Sequence, residues 1–199
     1  MKPNNYNLKI HIPENNFTDI LIISPGINGG QENDLIKNLC EIAIREGFVV
    51  VTWDFGFFLS QGEIDKDEEI RELEEVIVYI KNKYPMSTIH LAGKSYGGLI
   101  SSLVNPSLFD SLCVFGLLKE FNGIKFGKIT DKLFLVVHGT RDKFFSVDGI
   151  KQYIGSEKNL FIVEDADHGL GDKNFNFIGQ NSLEWYIRKL KLYINQKCQ

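Results

Sequence analysis

A serine set between glycines is the first residue in this chain with the makings of a nucleophile. Residues 93–98 read Gly93-Lys94-Ser95-Tyr96-Gly97-Gly98, a G-x-S-x-G pattern followed by a further glycine. An apolar β-rich run at 88–92 precedes it and a helical pattern at 99–104 follows it. A hydroxyl on a sharp strand-to-helix turn projects from the backbone, and the glycines leave room where strand and helix nearly touch. The helix behind the turn aims N–H groups and a positive dipole end at the same place. Such a serine attacks an acyl carbon only with a base beside it and an acid to orient that base. The chain has four histidines. His11 and His90 lie inside strand-like runs and read as structural. His138 closes the run 133–137 and reads as a turn stabiliser. His168, in Asp165-Ala166-Asp167-His168-Gly169, follows the last apolar run, on a loop that can bring an imidazole over the strand ends. Asp142, in His138-Gly139-Thr140-Arg141-Asp142, is the leading acid. Asp165 and Asp167 are rivals better suited to shaping the histidine loop, and Asp54 is a further rival.

Acyl transfer also needs N–H donors where the oxyanion develops. The run 19–23 ends in Ser24-Pro25-Gly26-Ile27-Asn28-Gly29-Gly30. The N–H groups of Ile27 and Tyr96 are the expected pair, with a merely flexible loop as the bland alternative. Trp53, Phe55 and Phe57 follow the run 48–52, and Phe144 and Phe145 come directly after Asp142. They are expected to line an apolar substrate pocket, unless they pack beneath the loops. Gly93-Lys94-Ser95 also ends like a phosphate-binding loop. That motif needs glycine five residues before Gly93, where Thr88 stands inside a strand, so nucleotide binding is not expected.

The elements that must hold these residues are short apolar runs at 19–23, 48–52, 88–92, 112–115, 133–137 and 160–163, with an alternating edge strand at 8–12. Continuous apolar character suits strands covered on both faces of a parallel sheet. Helical stripes lie between them: Leu35, Ile36, Leu39, Cys40 and Ala43, capped by Gly47; Ile70, Leu73, Val76, Ile77, Ile80 and Tyr84, stopped by Pro85; and Leu183, Tyr186, Ile187, Leu190 and Ile194. The acidic run 65–69 reads as a solvated helix start and not as a metal site. This alternation predicts one domain over residues 1–199, a doubly wound α/β fold with a mostly parallel sheet and helices on both faces. Ligands bind such sheets at the carboxyl ends of the strands, where Ser95, Asp142 and His168 all fall.

With 43% hydrophobic and 24% charged residues, the 199-residue chain is not of a disordered type. A net charge of −4 argues against nucleic acid as partner. No apolar run approaches the roughly 20 residues of a membrane helix, and the N-terminal residues lack the apolar core of a secretory signal. Three widely spaced cysteines, Cys40, Cys113 and Cys198, without a C-x-x-C pair, point to a reducing, cytoplasmic setting and to no metal site. Cys198 is expected on a frayed tail, and the sequon at 16–18 reads as chance.

Together, Pro25-Gly26-Ile27-Asn28-Gly29-Gly30, Gly93-Lys94-Ser95-Tyr96-Gly97-Gly98, His138-Gly139-Thr140-Arg141-Asp142 and Asp167-His168 mark a resemblance. From about residue 21 to 194 the chain resembles the small lidless α/β-hydrolases, close to dienelactone-hydrolase-like esterases and testis-expressed-protein-like hydrolases. The chain order serine, aspartate, histidine is that of this fold's triad. The resemblance implies Ser95 as nucleophile, His168 as base and Asp142 as acid. It departs from dienelactone hydrolases, which carry cysteine at the nucleophile, and from relatives with His-Gly where this chain has Pro25-Gly26. Lidded relatives insert a cap after the strand following the nucleophile helix; here residues 116–131 are too few to hold one. The expectation is a cofactor-free serine hydrolase of small-molecule esters or thioesters. The alternative is a catalytically weak hydrolase fold used for protein interaction.

Overall fold

The computed structural model describes residues 6–14, 19–128, 132–155 and 157–197. The sequon at 16–18 and Cys198 lie outside the described residues. The main sheet has seven strands. In chain order they are β1 (Lys9–His11), β2 (Asp19–Ser24), β3 (Val49–Thr52), β4 (Thr88–Lys94), β5 (Ser111–Phe115), β8 (Leu133–Gly139) and β9 (Leu160–Val163). Between β5 and β8 a two-stranded hairpin, β6 (Glu120–Phe121) and β7 (Ile124–Lys125), stands apart. The sheet order is β1-β3-β2-β4-β5-β8-β9, with β1 antiparallel at one edge and all other pairings parallel.

Alternate residues of each central strand feed two separate cores. Ile20 and Ile22 of β2 face one cluster; Leu21 and Ile23 face the other. The first core takes Leu73, Val76, Ile77 and Ile80 of α3 (Lys66–Lys83), Leu99 and Ile100 of α4 (Tyr96–Ser101) and Ile150 of α5 (Val147–Ile154). The second takes Leu35, Ile36 and Leu39 of α1 (Asp34–Arg45) and Leu183, Tyr186 and Leu190 of α6 (Gln180–Lys197). This is why the strands read as unbroken apolar runs: each is buried on both faces, at about 1.5–3 kcal/mol per large side chain.

Helix ends follow local chemistry. Asn33 caps α1 through the Leu35 N–H, and Asp65 caps α3 through the N–H groups of Asp67 and Glu68. The chain leaves α1 through Gly47, at φ +90. The acidic start of α3 is not wholly solvated, however. Glu69 is buried, accepting from the Asp65 N–H at 3.0 Å and the Tyr96 hydroxyl at 2.5 Å. Glu72 is buried too and accepts from the Gly56 N–H. The helix lies so close to α4 and to α2 (Gly56–Ser60) that these carboxylates replace water with protein donors.

Candidate active site

Strand β4 ends at Lys94 and α4 begins at Tyr96, so Ser95 alone makes the corner. Its backbone sits at φ 52, ψ −116, a region that costs a non-glycine residue on the order of 1–3 kcal/mol. The corner is held from both sides. The Ser95 N–H donates to the Phe115 carbonyl of β5 at 2.8 Å, and the Ser95 carbonyl accepts from the Leu99 N–H at 3.1 Å. A side chain at position 97 would overlap the carbonyl oxygens of Pro25 and Ser24, so only glycine lets the 24–30 loop approach the elbow. Gly97→Ala is therefore expected to lower unfolding free energy by about 1–3 kcal/mol, as overpacking of a close backbone contact does. A denaturant titration checks this, and an unchanged midpoint would mean that the loop yields freely.

His168 reaches the elbow from the loop after β9. Its Nε2 lies 2.7 Å from Ser95 Oγ and its Nδ1 lies 2.7 Å from Asp142 Oδ2. Gly116, at φ +67, makes room for it: a Cβ there would stand 2.7 Å from the His168 carbonyl oxygen. The acid loop and the histidine loop are tied together, with Thr140 N–H donating to the Val163 carbonyl and Arg141 N–H to that of Ala166. Asp142 is itself fixed, since its Oδ1 accepts from the Phe144 N–H at 2.8 Å. Ser95 keeps 8% of its surface accessible, while the Asp142 carboxylate has none. The arrangement can pass a proton from a hydroxyl to an imidazole held by a dry carboxylate.

The other acids have different work. Asp167 Oδ1 accepts from the N–H groups of Gly169 and Gly171 and shapes the histidine loop. Asp165 sits at φ 56, its N–H on Thr140 Oγ1. Asp54 accepts from the Gln31 N–H and side-chain amide and from the Asn7 amide. That anchors the far end of the 24–30 loop, a role that sequence reading missed. Within this loop Gly26 lies against Ser95, 3.6 Å separating a Cβ built on Gly26 from that of Ser95. The Tyr96 N–H opens α4 and so has no intrahelical acceptor. Neither it nor the Ile27 N–H donates to a protein acceptor among the described residues. Lys94 runs alongside Gly26, and burial holds its ammonium below the ordinary lysine pKa against the pull of Asp167.

The five aromatics divide. Trp53 and Phe55 have no accessible surface and do not face a rim, contrary to expectation. The extended segment 53–55 turns Asp54 to Gln31 and sends both rings the other way, where they meet at 4.5 Å in the first core. Trp53 Nε1 donates to Ser24 Oγ and so braces the 24–30 loop from beneath. Phe57 is half-buried and packs on Tyr96, joined there by Phe121 of the β6–β7 hairpin. Phe145 is half-buried against Tyr153. Phe144 is 67% exposed, its ring centroid 4.5 Å from that of His168. Tyr96 is held by Glu69, whose carboxylate burial pushes above the usual range; burial and that carboxylate together push the phenol up. Among the described residues, no group of three or more His, Cys, Asp or Glu is placed to hold a metal ion.

A family model described as "Alpha/beta hydrolase domain" matches residues 18–177. The chain belongs to the alpha/beta hydrolase family. Solved structures similar to this hydrolase share its fold at low identity. An alpha-beta serine hydrolase homologue from Coxiella burnetii superposes with a TM-score of 0.76 at 20% identity, covering 92% of this chain and 90% of that one. A serine hydrolase without a lid from Xanthomonas campestris gives 0.73 at 17%, covering 92% and 88%. Est1E from Butyrivibrio proteoclasticus, solved with ferulic acid bound, gives 0.70 at 18%, covering 96% and 94%. The hydrolase is lidless, as the Xanthomonas campestris protein is: where a cap would be inserted it carries the short β6–β7 hairpin. No helix among the described residues is long and apolar enough to cross a membrane.

Proposed function

We propose that this hydrolase cleaves carboxylic esters or thioesters through an acyl-enzyme on Ser95. The observation that carries the reading is the unbroken chain from Asp142 Oδ2 through His168 to Ser95 Oγ, 2.7 Å at each link. Ser95 Oγ attacks the acyl carbon while His168 Nε2 takes its proton, and the N–H groups of Ile27 and Tyr96 receive the oxyanion. His168 returns the proton to the leaving alkoxide or thiolate. Water then attacks the acyl-enzyme by the same route in reverse, regenerating Ser95 and releasing the acid. Asp142 holds the imidazole with its hydrogen on Nδ1, leaving Nε2 free to accept. The buried free thiols of Cys40 and Cys113 support a reducing, cytoplasmic setting for this activity.

A burst of leaving group equal to the enzyme concentration, on mixing with an activated aryl ester, tests the acyl-enzyme. Release no faster than in buffer alone, with neither burst nor turnover, would instead favour an interaction module. With no cap, specificity rests on rim side chains, and one methylene is worth only about 1–3 kcal/mol in an apolar pocket. Activity on short-to-medium alkyl and aryl esters is therefore expected to be broad. Phe144→Ala should shift the preferred acyl length or lower kcat/KM for aryl esters by about tenfold, with acetyl esters little affected. A chain-length series on both proteins measures this; one sharply preferred ester in the wild type would contradict it.

A further inference from the structure

A second imidazole faces the same carboxylate oxygen as His168. His138, the penultimate residue of β8, is completely buried, and its Nδ1 lies 3.4 Å from Asp142 Oδ2. Its Nε2 lies 2.7 Å from the carbonyl oxygen of Phe145. A carbonyl only accepts, so Nε2 carries the hydrogen. In the uncharged ring Nδ1 then presents a bare lone pair to the carboxylate. Consistently, Nδ1 is a buried polar atom without a hydrogen-bond partner. Such an atom is costly, and a turn stabiliser needs only the Nε2 contact.

We propose that His138 is a positioning residue for the acid: uncharged, it pins the 140–146 loop through Phe145 and gives Asp142 Oδ2 no hydrogen, whereas charged, it offers Nδ1–H to that oxygen and draws the carboxylate away from His168. The inference rests on the proposed triad. The titratable or charged groups acting on His138 are Asp142 on its own loop and His168 on the loop after β9. Its partner in the register of β9 is Ile162, which is apolar. Burial holds its pKa below the ordinary histidine value, with the Asp142 carboxylate and Phe145 carbonyl pulling it up and His168 pushing it further down. The uncharged state is thus the working state at neutral pH. The proton on His138 enters at lower pH than an exposed histidine would take one, and it steepens the loss of activity on the acid side.

The full chain is compared with His138→Gln and His138→Phe. Glutamine keeps an N–H for the Phe145 carbonyl but cannot be charged; phenylalanine fills the space and donates nothing. His138→Gln is expected to keep kcat near wild type, while His138→Phe lowers kcat by about 10²-fold, the cost of a slightly misplaced catalytic group, with KM little moved. The acid limb of kcat/KM should be less steep by one proton in His138→Gln than in the wild type. Independently of turnover, ¹⁵N spectra at about pH 8, above the reference histidine pKa, should show His138 uncharged with its hydrogen on Nε2. Coincident acid limbs in wild type and His138→Gln would overturn the proposal. So would full activity in His138→Phe, equal impairment of two folded variants, or a hydrogen on Nδ1. If the triad reading fails instead, none of the three proteins turns over ester, while the spectra still report the His138 tautomer.

Discussion

Replacing Ser95 with alanine is expected to lower ester turnover by about 10⁶-fold, because the proposed nucleophile, base and acid would act as one unit, and losing one disables the rest. The fold should hardly change. The elbow is fixed by backbone bonds, Ser95 N–H to Phe115 and Leu99 N–H to Ser95, which alanine keeps. Only the Oγ contact with His168 is lost, and the serine side chain bears no other hydrogen bond among the described residues. Initial rates with an activated ester, beside thermal unfolding of both proteins, check the expectation. A folded alanine variant with wild-type turnover would remove Ser95 from the reaction.

Asp142→Asn is expected to cost about 10⁴-fold in kcat by presenting the wrong imidazole tautomer. The geometry makes the direction definite. Asp142 Oδ1 accepts from the Phe144 N–H, so the amide oxygen stays there and the new NH₂ faces His168 Nδ1. That nitrogen must then accept, its hydrogen moves to Nε2, and nothing is left to take the proton from Ser95. Asp167→Asn and Asp165→Asn should cost far less. The oxygen that holds Gly169 and Gly171 survives in the first, and Asp165 bonds through backbone atoms. Parallel kcat measurements decide, and a loop aspartate as costly as Asp142 would reassign the acid.

The parts of this molecule legible in its sequence are those set by burial on two faces and by glycine at close contacts. The six parallel strands show as apolar runs because their alternate residues enter both cores, and helices α1, α3 and α6 show as stripes because each presses one face into one core. The elbow shows because Gly97 has no substitute where two backbones touch. Helices α2 and α5 and the β6–β7 hairpin were not legible; they are two to eight residues long, too short for a period to emerge. Side-chain direction was the harder loss. Trp53 and Phe55 stand at a strand end where the backbone turns their rings inward, and composition cannot report that turn. Glu69 and His138 were read as ordinary surface and turn residues, because their partners, Tyr96 and Asp142, adjoin them only through packing. For His138 one sequence signal existed: a histidine four residues before the acid, closing the same strand.

The most direct test of Ser95 as an activated nucleophile is covalent labelling by a fluorophosphonate, read by intact mass and peptide mapping. Ser95 Oγ attacks phosphorus, fluoride leaves, and His168 takes the serine proton, so the label reports nucleophile and base together without knowledge of the substrate. One adduct per chain is expected, on Ser95, and none on Ser95→Ala. An unlabelled wild type, or an adduct that persists in the alanine variant, would contradict it.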